Sequence, residues 1–404
     1  MNSAWTVQVI RGLVLGSLLI VAAPLVGGFF GEPRAILIIR VLGLAEIIKS
    51  SRNIGVVYFK KELEFHKQFF YRVAGTFGDL AVALPLAFLL RSVWALVFGL
   101  IAKNSIQLIV SYFIHDFRPK LNWDVSKIRE LFDFGRWIWG SSIVLFLLMQ
   151  GDDIFVGKYL GSAALGLYQL AYRISNTPAT EITRVISKVT FPAYSKLQDK
   201  LQTLRKGYFQ TMQLTLLISL PLAAGIAVMS YDFVNLFLGE KWIPMVPAMQ
   251  TLAIFGAIRA FNATTGPLFQ AKGRPEILTK VSSLQLIVLA AIIFPLTATW
   301  GILGTSVAVI IPNILAGIIA AYKIVEILET EVSNFVKKLG GPLFGASFML
   351  AEILIVKMFL PVNLLTFFLL IMTGAVTYFV VMYILELNYG LGYRDILSKV
   401  RSSL

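Results

Sequence analysis

Residues 9–30 read VIRGLVLGSLLIVAAPLVGGFF, twenty-two positions interrupted by a single charge, Arg11. Roughly 20 apolar residues let a helix cross a bilayer at about 1.5 Å of rise each. A cleaved secretory leader has a shorter apolar core, about 7–15 residues, and here a second apolar run follows at once, from 35 to 53. The stretch therefore predicts a membrane-spanning helix that stays in the protein. Ten more runs of the same kind lead to the far end of the chain: 69–90, 93–115, 135–158, 163–189, 208–229, 245–270, 278–298, 301–324, 340–360 and 363–386. Backbone in lipid has to satisfy its own hydrogen bonds, so these runs are helices. The expected fold is all-α: a polytopic membrane protein with about twelve transmembrane helices.

Composition narrows the function classes. Of 404 residues, 57% are hydrophobic and 14% charged, with a mean hydropathy of +0.78. Soluble domains carry about 25% charge. No polar stretch is long enough for a soluble catalytic domain, which excludes a cytosolic enzyme on a membrane tail and a sugar-nucleotide glycosyltransferase. The chain has no cysteine, so it is no disulfide scaffold. Its only histidines, His66 and His115, are too few for a haem or zinc site, and no cofactor or metal is expected. No phosphate-cradling Walker loop is present, so direct ATP hydrolysis is not expected either.

The net charge of +14 reads as topology. One set of alternate loops and the tail hold 25 Lys and Arg, among them Arg52, Lys60, Lys61, Arg118, Lys120, Lys206, Lys272, Arg274 and Arg401. The opposite loops hold five: Arg34, Arg91, Lys158, Lys241 and Lys357. The positive-inside rule makes the first set cytoplasmic and puts both chain ends there. Nucleic acid is not an expected partner. The loop 116–134 and the tail 389–404 are placed to rest on anionic lipid.

The sequence also repeats itself. LVGGFFGE at 25–32 matches FVNLFLGE at 233–240, and VLGLAEIIKSSRN from 41 matches TLAIFGAIRAFNA from 251. Lys49 then falls opposite Arg259 at an offset of 210, and Trp94 and Trp300 each open a later run. Parallel repeats in a membrane are a transporter pattern, with cargo handled between the lobes. The expected organisation is a first lobe of four helices, 1–115; a cytoplasmic linker, 116–134; a second lobe of six, 135–325; a linker, 326–339; two extra helices, 340–388; and a tail, 389–404. Two helices precede the second copy and none precedes the first. Either the first lobe is incomplete by two helices, or the arrangement is a ten-helix core with two additions.

The run 163–189 carries the candidate site. At 3.6 residues per turn, Gln169, Arg173, Asn176, Thr177, Thr180, Glu181, Arg184, Ser187 and Lys188 fall in one arc about 140° wide. Polar groups spread over about 28 Å of rise cannot face lipid; they face a partner helix or a water-filled cavity, or the helix lies in the interface. Pro178 predicts a kink. Asp152 and Asp153, on the preceding run, either pair with Arg173 or serve ion coupling. Glu181 can pair with Arg184 at i+3. In the first lobe, Glu46, Lys49 and Asn53 share a face at i, i+3, i+7, and Lys49 either lines a cavity or snorkels to the surface. The candidate cavity residues are Arg173, Arg184, Arg259, Lys49, Asn176 and Thr180, with Asp152, Asp153 and Glu181 as ion-coupling candidates.

Residues 151–198, GDDIFVGKYLGSAALGLYQLAYRISNTPATEITRVISKVTFPAYSKLQ, resemble the signature of bacterial oligosaccharide-repeat-unit flippases of the O-antigen, colanic-acid and capsule type. These belong to the multidrug/oligosaccharidyl-lipid/polysaccharide exporter superfamily. FFGEP at 29–33, FRPKL at 117–121, FGRW at 134–137, LGEKW at 238–242 and AKGRP at 271–275 resemble it too, so the likeness runs over nearly the whole chain. It implies fourteen helices, of which this chain lacks the first two. It also implies flipping of polyprenyl-diphosphate-linked oligosaccharide across the cytoplasmic membrane by alternating access, with polysaccharide polymerase components as further partners. Arg and Lys suit a diphosphate, Arg through its bidentate fork. Two other classes compete: a drug–cation antiporter of the same superfamily, and a membrane polymerase or ligase of lipid-linked sugars, which would want a larger outer loop with catalytic groups.

Overall fold

The computed structural model describes residues 2–123, 146–390 and 392. The start of the run 135–158, most of the linker 116–134 and most of the tail 389–404 lie outside the described residues. Among those described, all regular structure is helical. Eight helices among the described residues are long and apolar enough to cross a membrane, which makes this a multi-pass membrane protein.

The chain forms two compact units, Met1–Phe146 and Leu147–Leu404. In the first, α1 (Asn2–Phe30) packs on α2 (Arg34–Ser50), and α3 (Phe65–Leu90) on α4 (Trp94–Ile114). Lipid tails are as apolar as leucine, so helices in a bilayer associate through close backbone approach. α1 accordingly buries a stripe of small residues: Ser3, Thr6, Gly12, Gly16, Ala23 and Gly27. At the crossing, a Cβ on Gly43 of α2 would lie 2.7 Å from the Gly16 carbonyl oxygen, and one on Gly16 would lie 2.6 Å from that of Gly43. No other residue fits either position.

The expected face of Glu46, Lys49 and Asn53 is broken, because α2 ends at Ser50. The Ser51 N–H reaches both the Ile47 and Ile48 carbonyls at 3.2 Å. Asn53 turns inward and is fully buried. Its Oδ1 caps the short turn Ile54–Val57 by accepting from the Gly55 N–H at 2.9 Å, and its Nδ2 donates to the Phe117 carbonyl at 2.6 Å. Helical spacing does not apply past the last helical residue.

The second unit begins in a helix over 146–159, α5, followed by Gly161 at φ 89° and the long helix α6 (Ser162–Leu197). α6 runs on through Pro178 and Pro192. Then come α7 (Leu201–Phe233), α8 (Val246–Ala263), α9 (Thr265–Ala271), α10 (Pro275–Leu328), α11 (Val332–Phe359) and α12 (Leu364–Tyr389). α8 is the hub: α6, α7 and α10 all pack on it, and Leu252, Ala253 and Ala260 are fully buried. α10 is a hairpin. Gly301, at φ 57° and ψ −136°, breaks it, and Gln285 of one arm donates to Asn313 of the other at 3.1 Å. The runs 278–298 and 301–324 are its two arms. Only residues 329–331 separate α10 from α11, so most of the segment 326–339 is helical. α11 and α12 pack on α7 through Met349, Ile353, Phe367 and Tyr378, whose hydroxyl donates to the Leu217 carbonyl at 2.9 Å. Lys357 of α11 pairs with Asp232 of α7.

Two positions that the sequence repeat sets opposite one another both bond to asparagines. In the first unit Arg52 donates to Asn104 Oδ1 at 2.6 Å, and in the second Asn262 donates to the Asn313 carbonyl at 2.9 Å. Arg52 and Asn262 stand 210 positions apart, as do the helix starts Phe65 and Pro275. Arg52, just past α2, meets the side chain of its asparagine, whereas Asn262, inside α8, meets a main-chain carbonyl.

Candidate functional site

Each unit has its own polar pocket. In the first unit, α1, α2 and α4 enclose about 440 Å³. Lys49, Arg52 and Lys103 face it with one carboxylate, Glu46, and the amides of Asn104 and Gln107. Lys49 reaches Glu46 at 2.8 Å, and Lys103 stands 3.8 Å from Asp79. Arg52 is fixed by Asn104, whose Nδ2 in turn donates to the Ala45 carbonyl at 3.1 Å. The Arg52 Nε is buried without a protein partner. Glu46 offsets Lys49 and Asp79, behind the wall, offsets Lys103, so Arg52 leaves this pocket positive.

The pocket of the second unit, about 470 Å³, lies between α5, α6 and the turn Glu240–Met245. Asp152, Asp153, Gln150, Gln169, Tyr172, Arg173 and Trp242 line it. Asp152 is buried and accepts from the Tyr168 hydroxyl at 2.7 Å; Tyr168 is itself fully buried. Asp153 accepts from Gln169 at 3.1 Å. The expected partner of the aspartates, Arg173, pairs with neither and stands exposed in the pocket wall. The acidic residues instead take neutral donors one turn away on α6.

The arc read from the sequence divides on the structure. Gln169, Arg173, Thr177, Glu181 and Arg184 are exposed along one side of α6, three and four residues apart. Asn176 belongs to the packed side: it is buried against Gly256 of α8, with its Oδ1 lacking a partner. Thr180 is half-buried and donates to the Asn176 carbonyl at 2.8 Å. Arg184 and Glu181 pair at 3.1 Å, both well exposed, about 12–16 Å of helical rise beyond Arg173 and outside the pocket. The side chain of Lys188 lies outside the described residues. Arg259 of α8 reaches the pocket indirectly, donating to the Tyr172 hydroxyl at 3.3 Å. On the reverse face of α6, Ile174 and Pro178 border an apolar cavity of about 480 Å³. α6 thus separates a polar compartment from an apolar one.

Arg52 and Trp242 escaped the sequence reading. Arg52 looked like one more loop cation, and only the repeat, which sets it opposite Asn262, signals an inward role. Trp242 closes the motif LGEKW at 238–242, which carries the family resemblance but does not show that the side chain lines a pocket.

Residues 1–247 match the family model described as polysaccharide biosynthesis protein. The chain belongs to that family. Among curated members of similar sequence, the teichuronic acid biosynthesis protein TuaB of Bacillus subtilis (strain 168) is 25% identical over 348 residues, 85% of this chain and 71% of that one. The lipopolysaccharide biosynthesis protein WzxC of Escherichia coli (strain K12) is 25% identical over 83% of this chain and 66% of its own. Among solved structures, the lipid II flippase MurJ in an inward closed conformation superimposes with a TM-score of 0.74 over 98% of this chain and 84% of that one, at 14% identity. That likeness establishes the fold of this family member.

Proposed function

We propose that this family member flips a polyprenyl-diphosphate-linked oligosaccharide from the inner to the outer leaflet of the bacterial cytoplasmic membrane, by alternating access and without chemistry on the cargo. The observation that carries the reading is the exposed polar face of α6, with Arg173 and Arg184, on a helix about 54 Å long set among apolar spans. An intramembrane cation is expensive, so its retention points to function. The relatives support the reading, for their names concern polysaccharide synthesis and a lipid flippase. The cargo combines an anionic diphosphate, a polar glycan and a lipid tail. Lys49, Arg52 and Lys103 suit the diphosphate. In the second unit, Arg173 and Arg184 give α6 its cationic groups, and Arg259 holds Tyr172 in place. Energy comes from an ion gradient or from removal of cargo on the outer side, with Asp152 as the proton-carrying group, since Glu181 is committed to Arg184. Both chain ends lie in the cytoplasm, and a polysaccharide polymerase takes the delivered unit.

The test is genetic. A host stripped of the gene accumulates lipid-linked repeat units and loses surface polysaccharide; the wild-type gene restores export, and Arg173→Ala at equal expression does not. Normal surface polysaccharide in the deletion strain sinks the proposal.

A further inference from the structure

We propose that the 470 Å³ pocket of the second unit is a carbohydrate subsite that takes about one or two sugar rings of the glycan beyond its first sugar, and that the diphosphate does not enter it. This rests on the transport reading above. The charges of the two pockets point apart. The pocket of the first unit has three cations and one carboxylate; that of the second has two carboxylates, Asp152 and Asp153, and one cation, Arg173. An anionic diphosphate approaching the second would meet two aspartates at close range. A polyprenyl tail would leave its polar groups dry and unpaired.

Sugar hydroxyls fit it. Each hydroxyl both donates and accepts, and needs carboxylates, amides and guanidinium groups around it. Asp153 spends one contact on Gln169 and keeps its remaining lone pairs for hydroxyl donors. Gln150 and Gln169 offer amides, Arg173 offers donors, and the rings of Tyr172 and Trp242 offer apolar faces for the C–H side of a pyranose. The site is also held in advance: Tyr168, fully buried, fixes Asp152, and Arg259 fixes the Tyr172 hydroxyl. The volume is of small-ligand size.

Gly166 supplies the means of testing it. It lies in the pocket wall, and a Cβ built on it meets nothing within 4 Å. A large side chain there has room to enter the pocket and take the space of a sugar ring. The probes are the host's polyprenyl-diphosphate repeat-unit lipid and the same lipid trimmed to its first sugar, each titrated against the full chain in vesicles. The wild type is expected to bind the full lipid about tenfold or more tighter than the trimmed one, the scale of a few hydrogen bonds. Gly166→Phe removes that preference and leaves the affinity for the trimmed lipid unchanged. Gly340→Phe, the same insertion at an open glycine of α11, keeps the preference. Asp153→Asn, which preserves shape, reduces it severalfold, and decides the matter where Gly166→Phe does not fold. Wild-type preference in Gly166→Phe, or in Asp153→Asn where the former is lost, overturns the subsite. A wild type that binds neither lipid fails the transport reading instead.

Discussion

Replacing Lys357 with methionine strands a buried carboxylate. Lys357 on α11 donates to Asp232 on α7 and to the Val228 carbonyl at 3.3 Å, and the two side chains are only 21% and 8% exposed. Removing one partner of a buried pair costs about 3–5 kcal/mol, because the survivor is left charged and dry. The residual exposure of Lys357 places the loss near the lower end, about 3 kcal/mol. Replacing both partners with apolar residues of similar volume is often neutral, so Lys357→Met with Asp232→Leu is expected within about 1 kcal/mol of wild type. The assay is equilibrium unfolding of the purified protein in mixed micelles, run as a double-mutant cycle. A coupling energy of about 2 kcal/mol or more supports a pair that clamps the last two helices to α7. Single mutants that each cost under about 0.5 kcal/mol and add independently refute the reasoning.

Three further outcomes follow. Gly43→Val drives a side chain into the Gly16 carbonyl and is expected to cost about 1–3 kcal/mol or more, read as lower thermal stability in detergent, while Gly28→Ala, which meets nothing, is neutral. Tyr168→Phe leaves Asp152 buried without its donor and is expected to lower stability by about 1–3 kcal/mol, most of it recovered by adding Asp152→Leu. Arg173→Ala removes an exposed, unpaired side chain, so stability stays within about 0.5 kcal/mol while polysaccharide export falls about tenfold or more.

The helices were legible because lipid leaves the backbone no alternative. Every run that the structure describes became a helix, down to the turn between 278–298 and 301–324, where a glycine at positive φ reverses the chain. The exposed line of Gln169, Arg173, Thr177, Glu181 and Arg184 was legible from its period. Asn176 was not, because a 140° arc is wider than the open side of α6 and its edge meets Gly256. Asn53 misled for a related reason: its spacing is helical and its backbone is not. The pairings Tyr168–Asp152 and Arg52–Asn104 depend on helices meeting across the fold, which periodicity along one helix does not encode. The position that the repeat sets opposite Arg52, Asn262, also bonds to an asparagine, though to its main-chain carbonyl.

The central claim is translocation without chemistry, and flipping in vesicles tests it most directly. The full chain is reconstituted with a fluorescent lipid-linked repeat unit, and the fraction of glycan open to a membrane-impermeant reagent is followed over time, with and without an imposed ion gradient. Glycan is expected to cross in the absence of nucleotide, with the lipid-linked unit recovered chemically unchanged. Glycan that stays in its starting leaflet under every gradient, or that moves only when ATP is added, contradicts it.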